Sequence, residues 1–215
     1  MIIINSSQQD TMKIFRPFSR INVPIGLGYL ISVLEREKIT VGFIDEQTAG
    51  NTFALVAEYI KEKEPPYIFG FSVLTAAIKR SIIVSERLKE LYPDSVIIFG
   101  GIHPTAVPEE VLSYKHVDIV LRGEAEETLP QLYRCLKKRG SFSHIEGISF
   151  RQNGGIIHNN AAPVVKDLDS LPPFPYHLFD SGEYDLGAIV SSRGCPYQCI
   201  FCSNRIITKM AYRYR

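Results

Sequence analysis

Hydrophobic residues fall into two alternating textures along this chain. Short, nearly continuous apolar runs occur at Ile2–Ile4, Val41–Ile44, Tyr67–Ser72, Val96–Phe99 and Asp118–Leu121. A strand in a parallel sheet is covered on both faces, so it reads as a continuous apolar run rather than as an alternation. Between these runs lie PIGLGYLISVLEREK, NTFALVAEYIKEK, TAAIKRSIIVSERLKELYP and EETLPQLYRCLKKRG, whose apolar residues recur at helical spacing. Pro24 suits a helix start and Gly140 a helix stop. Asn51 or Thr52, and Thr75, are the candidate N-caps. Five strand–helix units predict an α/β fold for residues 1–140: a doubly wound, five-stranded parallel sheet of flavodoxin or Rossmann-like type.

After Gly140 the pattern changes. EGISFRQNGGIIHNN predicts a β-hairpin around Asn153–Gly154, a pair suited to a type I′ turn. AAPVVKDLDSLPPFPYHLFD follows with Pro163, Pro172, Pro173 and Pro175, which exclude regular helix and central strand. Its anchors, Leu168, Leu171, Phe174, Tyr176 and Phe179, go with a semi-rigid linker that wraps from the sheet domain to the next. Residues 141–186 thus read as hairpin and linker, and residues 187–215 as the start of another domain.

Ligands of doubly wound sheets bind beyond the carboxyl ends of the strands, at the point where strand order reverses. Those ends are chemically specific here. GFSVLT offers the Ser72 and Thr75 hydroxyls, and GGIHPT offers Gly100, Gly101, His103 and Thr105. RGEAEET offers Gly123 and Glu124. Small residues and hydroxyls at several strand ends together make a slot for a large polar ligand. His103 either contacts that ligand or serves its own turn. His116, His144, His158 and His177 stand singly in polar surroundings and read as surface residues.

The sharpest chemistry lies in RGCPYQCIFCSN, where Cys195, Cys199 and Cys202 have the spacing CxxxCxxC. Fe–S clusters are held by Cys thiolates, usually four. A compact set of three suits a 4Fe-4S cluster with one iron left open for a substrate or cosubstrate. Disulfide pairing would leave one thiol over, and a structural zinc would want a fourth ligand. Cys135, in QLYRCLKKRG, reads as a packing residue.

Composition narrows the setting. The chain has 215 residues and a net charge of +1, which gives no electrostatic case for nucleic acid. No apolar run approaches the ~20 residues of a membrane span. Four cysteines, three of them clustered, are not a disulfide framework. A reducing, cytoplasmic setting is expected.

RGCPYQCIFCSN resembles the cluster motif of the radical S-adenosylmethionine enzymes. GLGYL, GFSVLT, GGIHPT and RGEAEET together resemble the cobalamin-binding domain that precedes the barrel in one class of them, and DLDSLPPFP resembles its connector. The resemblance implies cluster ligation by Cys195, Cys199 and Cys202, S-adenosylmethionine at the open iron, and adenine near the backbone of Phe201. It implies that Ala188–Ser192 form the first barrel strand and that Arg213 and Arg215 open the first barrel helix. It also implies a cobalamin whose tail passes Ser72, Thr75 and the Gly100–Gly101 turn, with Gly123 and Glu124 at the rim. A small-molecule substrate and a reductant such as flavodoxin or ferredoxin are the implied partners, for methyl transfer, cyclisation or rearrangement. Proteins that ligate cobalt from below carry D-x-H-x-x-G after the first strand. Here Asp10 is followed by TMKIF, so no histidine ligand is expected from that loop. Thirteen residues follow Cys202, whereas a complete barrel needs about 200 in all. The chain is therefore expected to be the front portion of such an enzyme, inactive alone. The alternative is a non-catalytic cobalamin-binding module left by truncation. A receiver-like signalling domain would need acids after the first strand and a lysine after the fifth. Asn5 and Arg122–Gly123 stand there instead.

Overall fold

Each apolar run becomes a strand and each periodic stretch a helix in the computed structural model, which describes residues 1–7, 21–208 and 211–215. In chain order the first elements are β1 (Ile2–Asn5), β2 (Ile21–Asn22), α1 (Ile25–Arg36), β3 (Gly42–Asp45), α2 (Thr52–Ile60) and β4 (Ile68–Ser72). A short 3₁₀ turn, Thr75–Ala77, leads into α3 (Ile78–Leu91), followed by β5 (Val96–Gly100), α4 (Ile102–Ala106), α5 (Pro108–Ser113), β6 (Ile119–Leu121) and α6 (Thr128–Lys137). The hairpin is β7 (Ile148–Gln152) and β8 (Gly155–His158); beyond it come β9 (Tyr184–Asp185), β10 (Ser192–Arg193), α7 (Asn204–Thr208) and β11 (Arg213–Tyr214). Asp10 falls among residues 8–20, so the expectation about a histidine ligand from that loop lies outside the described residues.

The main sheet has strand order β3-β1-β4-β5-β6-β7-β8. Its first five strands are parallel and give the flavodoxin-like order expected of them. The sheet has seven strands rather than five, because the hairpin joins it antiparallel through β6–β7. Without that pairing β6 would present an open row of backbone donors and acceptors. Ile148 and Phe150 of β7 also enter the apolar layer beneath α6. Asn153 (φ 51°) and Gly154 (φ 79°) both take the left-handed conformation that a type I′ turn demands.

Alternate residues of each strand serve opposite faces. On one face Ile2, Ile4, Phe69, Phe71, Ile97, Phe99 and Val120 pack beneath α2, α3 and α5. On the other Ile3, Ile68, Ile98, Ile119 and Leu121 pack beneath α1 and α6. Burial of each large side chain in these layers contributes roughly 1.5–3 kcal/mol. Asn51 caps α2, accepting from the backbone N–H groups of Phe53 and Ala54. Thr75 does not cap a helix; its hydroxyl meets His103 Nδ1 at 3.2 Å instead.

The proline-rich connector lies along the outside of α1. Val165, Leu168 and Leu171 pack on Tyr29 and Val33, while Phe174 meets Tyr29 edge to face at 5.6 Å. Phe174 occupies the space a side chain at position 28 would need: a Cβ on Gly28 would lie 2.1 Å from its ring. The connector is pinned further by Ser32 Oγ donating to the Pro173 carbonyl and Arg36 to that of Ser170.

Candidate functional site at the strand ends and the cysteine loop

A cavity of about 370 Å³ runs from the carboxyl ends of β4, β5 and β6 down the sheet face between α1 and α6. Ser72, Gly100, Gly101, Gly123 and Glu124, all marked out by sequence, line it. Among the other wall residues, Gly26, Leu30, Gly70 and Glu126 lie inside the stretches GLGYL, GFSVLT and RGEAEET but were not singled out, and Val190, Ser192 and Arg193 were not expected at this cavity. Gly70 carried a readable signal, because a glycine inside a strand often marks close approach by a ligand or backbone. A Cβ there would make only ordinary contacts, at 3.4 Å or more, and one on Gly26 would meet nothing within 4 Å. Both positions leave space rather than fill a packing need.

Thr75, His103 and Thr105 stand behind this wall. Thr105 Oγ1 accepts from the Gly123 N–H at 3.0 Å and so fixes the loop after β6. His103 is 8% exposed, bonded to Thr75 at Nδ1, with Nε2 buried and 3.9 Å from a Glu110 oxygen. Gly101 makes the turn after β5 possible: its φ is 100°, and a Cβ would press to 2.9 Å from the Val73 nitrogen.

Glu124 anchors a buried charge cluster at the cavity rim. Arg213 donates to both its carboxylate oxygens, at 2.7 and 2.8 Å, and the Val165 N–H donates at 2.7 Å. Arg193 lies 2.6 Å from Glu126 and 3.6 Å from Glu124. Burial pushes the Glu124 carboxyl up, but the bonds from Arg213 and Val165 and the nearby guanidinium charges outweigh it and hold the pKa below the ordinary value. The bond to Glu124 raises Arg213 in turn. Arg215 donates to the Tyr29 hydroxyl at 2.6 Å, and the Arg193 and Arg215 guanidinium groups lie 5.3 and 5.4 Å from the Tyr29 ring centre.

The cysteines follow this cluster directly. Cys195 is half-buried, Cys199 and Cys202 are exposed, and none is in a disulfide. The Cys202 N–H donates to the Cys199 carbonyl at 3.1 Å, which turns the chain between them. Among the described residues no three metal-ligating side chains are gathered at one point. Phe201 is 89% exposed beside them. Residues 188–191 form no strand; the strand before the cysteines is the shorter β10, paired antiparallel with β11. Arg213 thus lies in a strand and not at the opening of a barrel helix, because the buried Glu124 carboxylate draws its guanidinium back to the sheet domain. Cys135, on α6, is half-buried against the apolar layer and bonds the Ser141 carbonyl through Sγ. No helix among the described residues is long and apolar enough to cross a membrane.

Residues 16–133, more than half of the chain, match the B12 binding domain family. An uncharacterized methyltransferase of Pyrococcus horikoshii is 32% identical over 189 residues, which are 85% of this chain and 41% of that protein. The anaerobic magnesium-protoporphyrin IX monomethyl ester cyclase of Cereibacter sphaeroides is 32% identical over 196 residues, 84% of this chain and 31% of the relative. Among solved structures, the cobalamin-dependent S-adenosylmethionine radical enzyme OxsB, with aqua-cobalamin and S-adenosylmethionine bound, superposes with a TM-score of 0.72 at 24% identity; the match covers 99% of this chain and 29% of that one. The methyltransferase TsrM from Kitasatospora setae, with cobalamin and a 4Fe-4S cluster bound, gives a TM-score of 0.71 at 18% identity, covering 100% of this chain and 43% of that one. The chain spans less than half the length of each of these proteins. By its matched domain, its fold and its cysteine motif, the chain belongs to the B12 binding domain family, among the cobalamin-binding-domain-containing radical S-adenosylmethionine proteins.

Proposed function

We propose that this chain holds cobalamin in the strand-end cavity and a 4Fe-4S cluster on Cys195, Cys199 and Cys202, as part of a radical S-adenosylmethionine methyltransferase or cyclase. The observation that carries this reading is a shared wall. Ser192 and Arg193 line the cavity, and Cys195 is two residues further on. The two cofactors of such an enzyme would then lie against one short segment.

The residues fit both groups. Gly26, Gly70 and Gly100 leave a narrow slot along the sheet that suits the elongated tail of a cobalamin, with Ser72 at its mouth as a hydrogen-bonding group. Three unpaired thiols within one short segment, two of them exposed, suit a cluster that leaves one iron open to S-adenosylmethionine. When bound, cobalamin supplies methyl transfer and the cluster supplies one-electron reduction of the sulfonium. The chain's own residues bind and orient. Thr105 holds the Gly123 rim in place, Glu124 and Glu126 fix the two arginines, and the backbone beside Phe201 is free to meet an adenine. Residues 1–140 form the cobalamin part, residues 141–186 hairpin and linker, and residues 187–215 the start of the barrel. A small-molecule substrate, a reductant such as flavodoxin or ferredoxin, and a reducing cytoplasm complete the proposal.

The test is anaerobic reconstitution with iron, sulfide and hydroxocobalamin, followed by gel filtration and visible spectroscopy. Co-elution of one cobalamin per chain is expected, along with a cluster absorbance that vanishes when the three cysteines are changed to Ser while cobalamin stays. Gly70→Val fits a strand but fills the slot, and should weaken cobalamin binding by about tenfold or more. A wild-type chain that elutes free of cobalamin would defeat the proposal. One observation favours a second reading, a module that binds cobalamin without cleaving S-adenosylmethionine: Ile200 is 95% and Phe201 89% exposed, so no described element covers the cysteine loop. Bound cobalamin without formation of 5′-deoxyadenosine under reducing conditions would select it.

A further inference from the structure

The geometry points to a clamp: Glu124 and Glu126, on the loop that lines the cavity, hold the two ends of the cysteine segment through Arg193 and Arg213. We infer that this clamp couples occupancy of the cavity to the state of the cysteine loop. The coupling rests on the reading of the cavity as a cobalamin site; the clamp does not.

The chain leaves the sheet domain at Arg193, passes the three cysteines, and returns at Arg213. Those two residues are hydrogen-bonding partners in β10–β11, so they close the neck of the excursion. Gly194 makes the neck tight, since its φ is 89° and a Cβ there would lie 1.8 Å from the Ala211 carbonyl oxygen. Inside the neck Cys199, Ile200, Phe201 and Cys202 are exposed and belong to no apolar cluster. Position is set at two points, the neck and α7, which lies against α4; the neck, two residues from Cys195, is held by charge. Glu124 and Arg213 are each 9% exposed, Glu126 is 6% and Arg193 16%. Two carboxylates face two guanidinium groups, so the cluster is balanced as it stands, and neutralising one member leaves an opposite charge buried without its partner. Three of the four, Glu124, Glu126 and Arg193, are cavity wall. A ligand entering the cavity touches the clamp, and any shift of the clamp reaches the thiols two residues beyond Arg193. Arg213 is the member outside the wall. It also donates to the Val165 carbonyl, so the connector is tied to the same point.

The experiment measures how fast iodoacetamide modifies each cysteine of the reduced full chain, read peptide by peptide, with Cys135, near the far end of α6, as internal control. Arg213→Gln is compared with Arg213→Lys, which keeps the charge but loses the fork, and with Glu124→Gln, close to isosteric. Melting curves identify any variant that fails to fold. The remaining two then decide. Without ligand, the clamp predicts that Arg213→Gln speeds modification of Cys195 about tenfold relative to Cys135, with Arg213→Lys intermediate. With saturating cyanocobalamin, the wild-type rates at Cys195, Cys199 and Cys202 should change by at least about fivefold. That response should be lost in Arg213→Gln, even though absorbance shows the cobalamin still bound. Unchanged Cys195 reactivity in folded Arg213→Gln and Glu124→Gln would overturn the clamp. A wild-type chain that binds cyanocobalamin without any change at the cysteines would overturn the coupling. Failure to bind cyanocobalamin at all would sink the cobalamin reading and the coupling with it. The ligand-free arm would still judge the clamp.

Discussion

Strand β5 and the cysteine loop carry similar side chains in opposite settings. Ile97, Ile98 and Phe99 are at most 1% exposed, whereas Ile200 and Phe201 are 95% and 89% exposed. Apolar area removed from water holds β5 in place, at about 25 cal/mol per Å². The cysteine loop itself has little of that support and depends on a neck of paired charges and one glycine, and on α7 lying against α4. Two ways of fixing a segment thus meet at the same cavity: packing sets its floor, and electrostatics sets its rim.

Truncation of an aromatic ring breaks this comparison most sharply. Phe99→Ala should destabilise the chain by about 3–5 kcal/mol in urea unfolding, through lost burial and the cavity left behind. Phe201→Ala, the same chemical change in the loop, should stay within about 0.5 kcal/mol. Equal costs would show that the loop is packed after all. Next in size is Gly101→Ala, which meets both the positive φ and the Val73 backbone and should cost more than about 1 kcal/mol. Gly194→Ala meets a harder clash but in an unpacked region. Its expected signature is faster proteolytic cutting near residue 194, with little change in the global midpoint.

A pH titration sharpens the electrostatic half. Glu124 binds a proton less readily in the folded chain than its ordinary value of 4.5 implies. Its contribution is therefore complete above that value and fades as pH falls through the lower folded pKa. The melting temperature should drop over that acid window, and Glu124→Gln should flatten the drop. An identical pH profile in the variant would remove Glu124 from the account. The smallest effect belongs to Arg87–Glu90, a solvent-exposed pair on α3 at 2.7 Å. Arg87→Ala should change stability by less than about 1 kcal/mol, because water screens the pair and both side chains lose freedom in making it.

Much of the sheet was legible because its signals are local. Continuous apolar runs located all five parallel strands, and helical spacing located α1, α2, α3 and α6 but not the short α4 and α5; Asn153–Gly154 named its own turn. Five of the strand-end residues singled out in sequence line the cavity for the same reason: strand ends are where such folds place ligands. Thr75 shows where local reading stops. A hydroxyl before a helix is a fair N-cap, but here His103, 28 residues away in sequence, takes it. The hairpin's place in the main sheet was equally hidden, since the need to cover β6 is a property of the assembled sheet.

The cysteine spacing and the strand–helix alternation were determined by the sequence alone, because each depends on residues within one turn or one strand of each other. The tertiary structure decided the rest. It set Gly70 against an open slot and Phe174 against Gly28. It also brought Glu124 to Arg213 across 89 residues. Such pairings arise from which surfaces meet once the core has closed, and a buried carboxylate takes whatever cation that closure delivers.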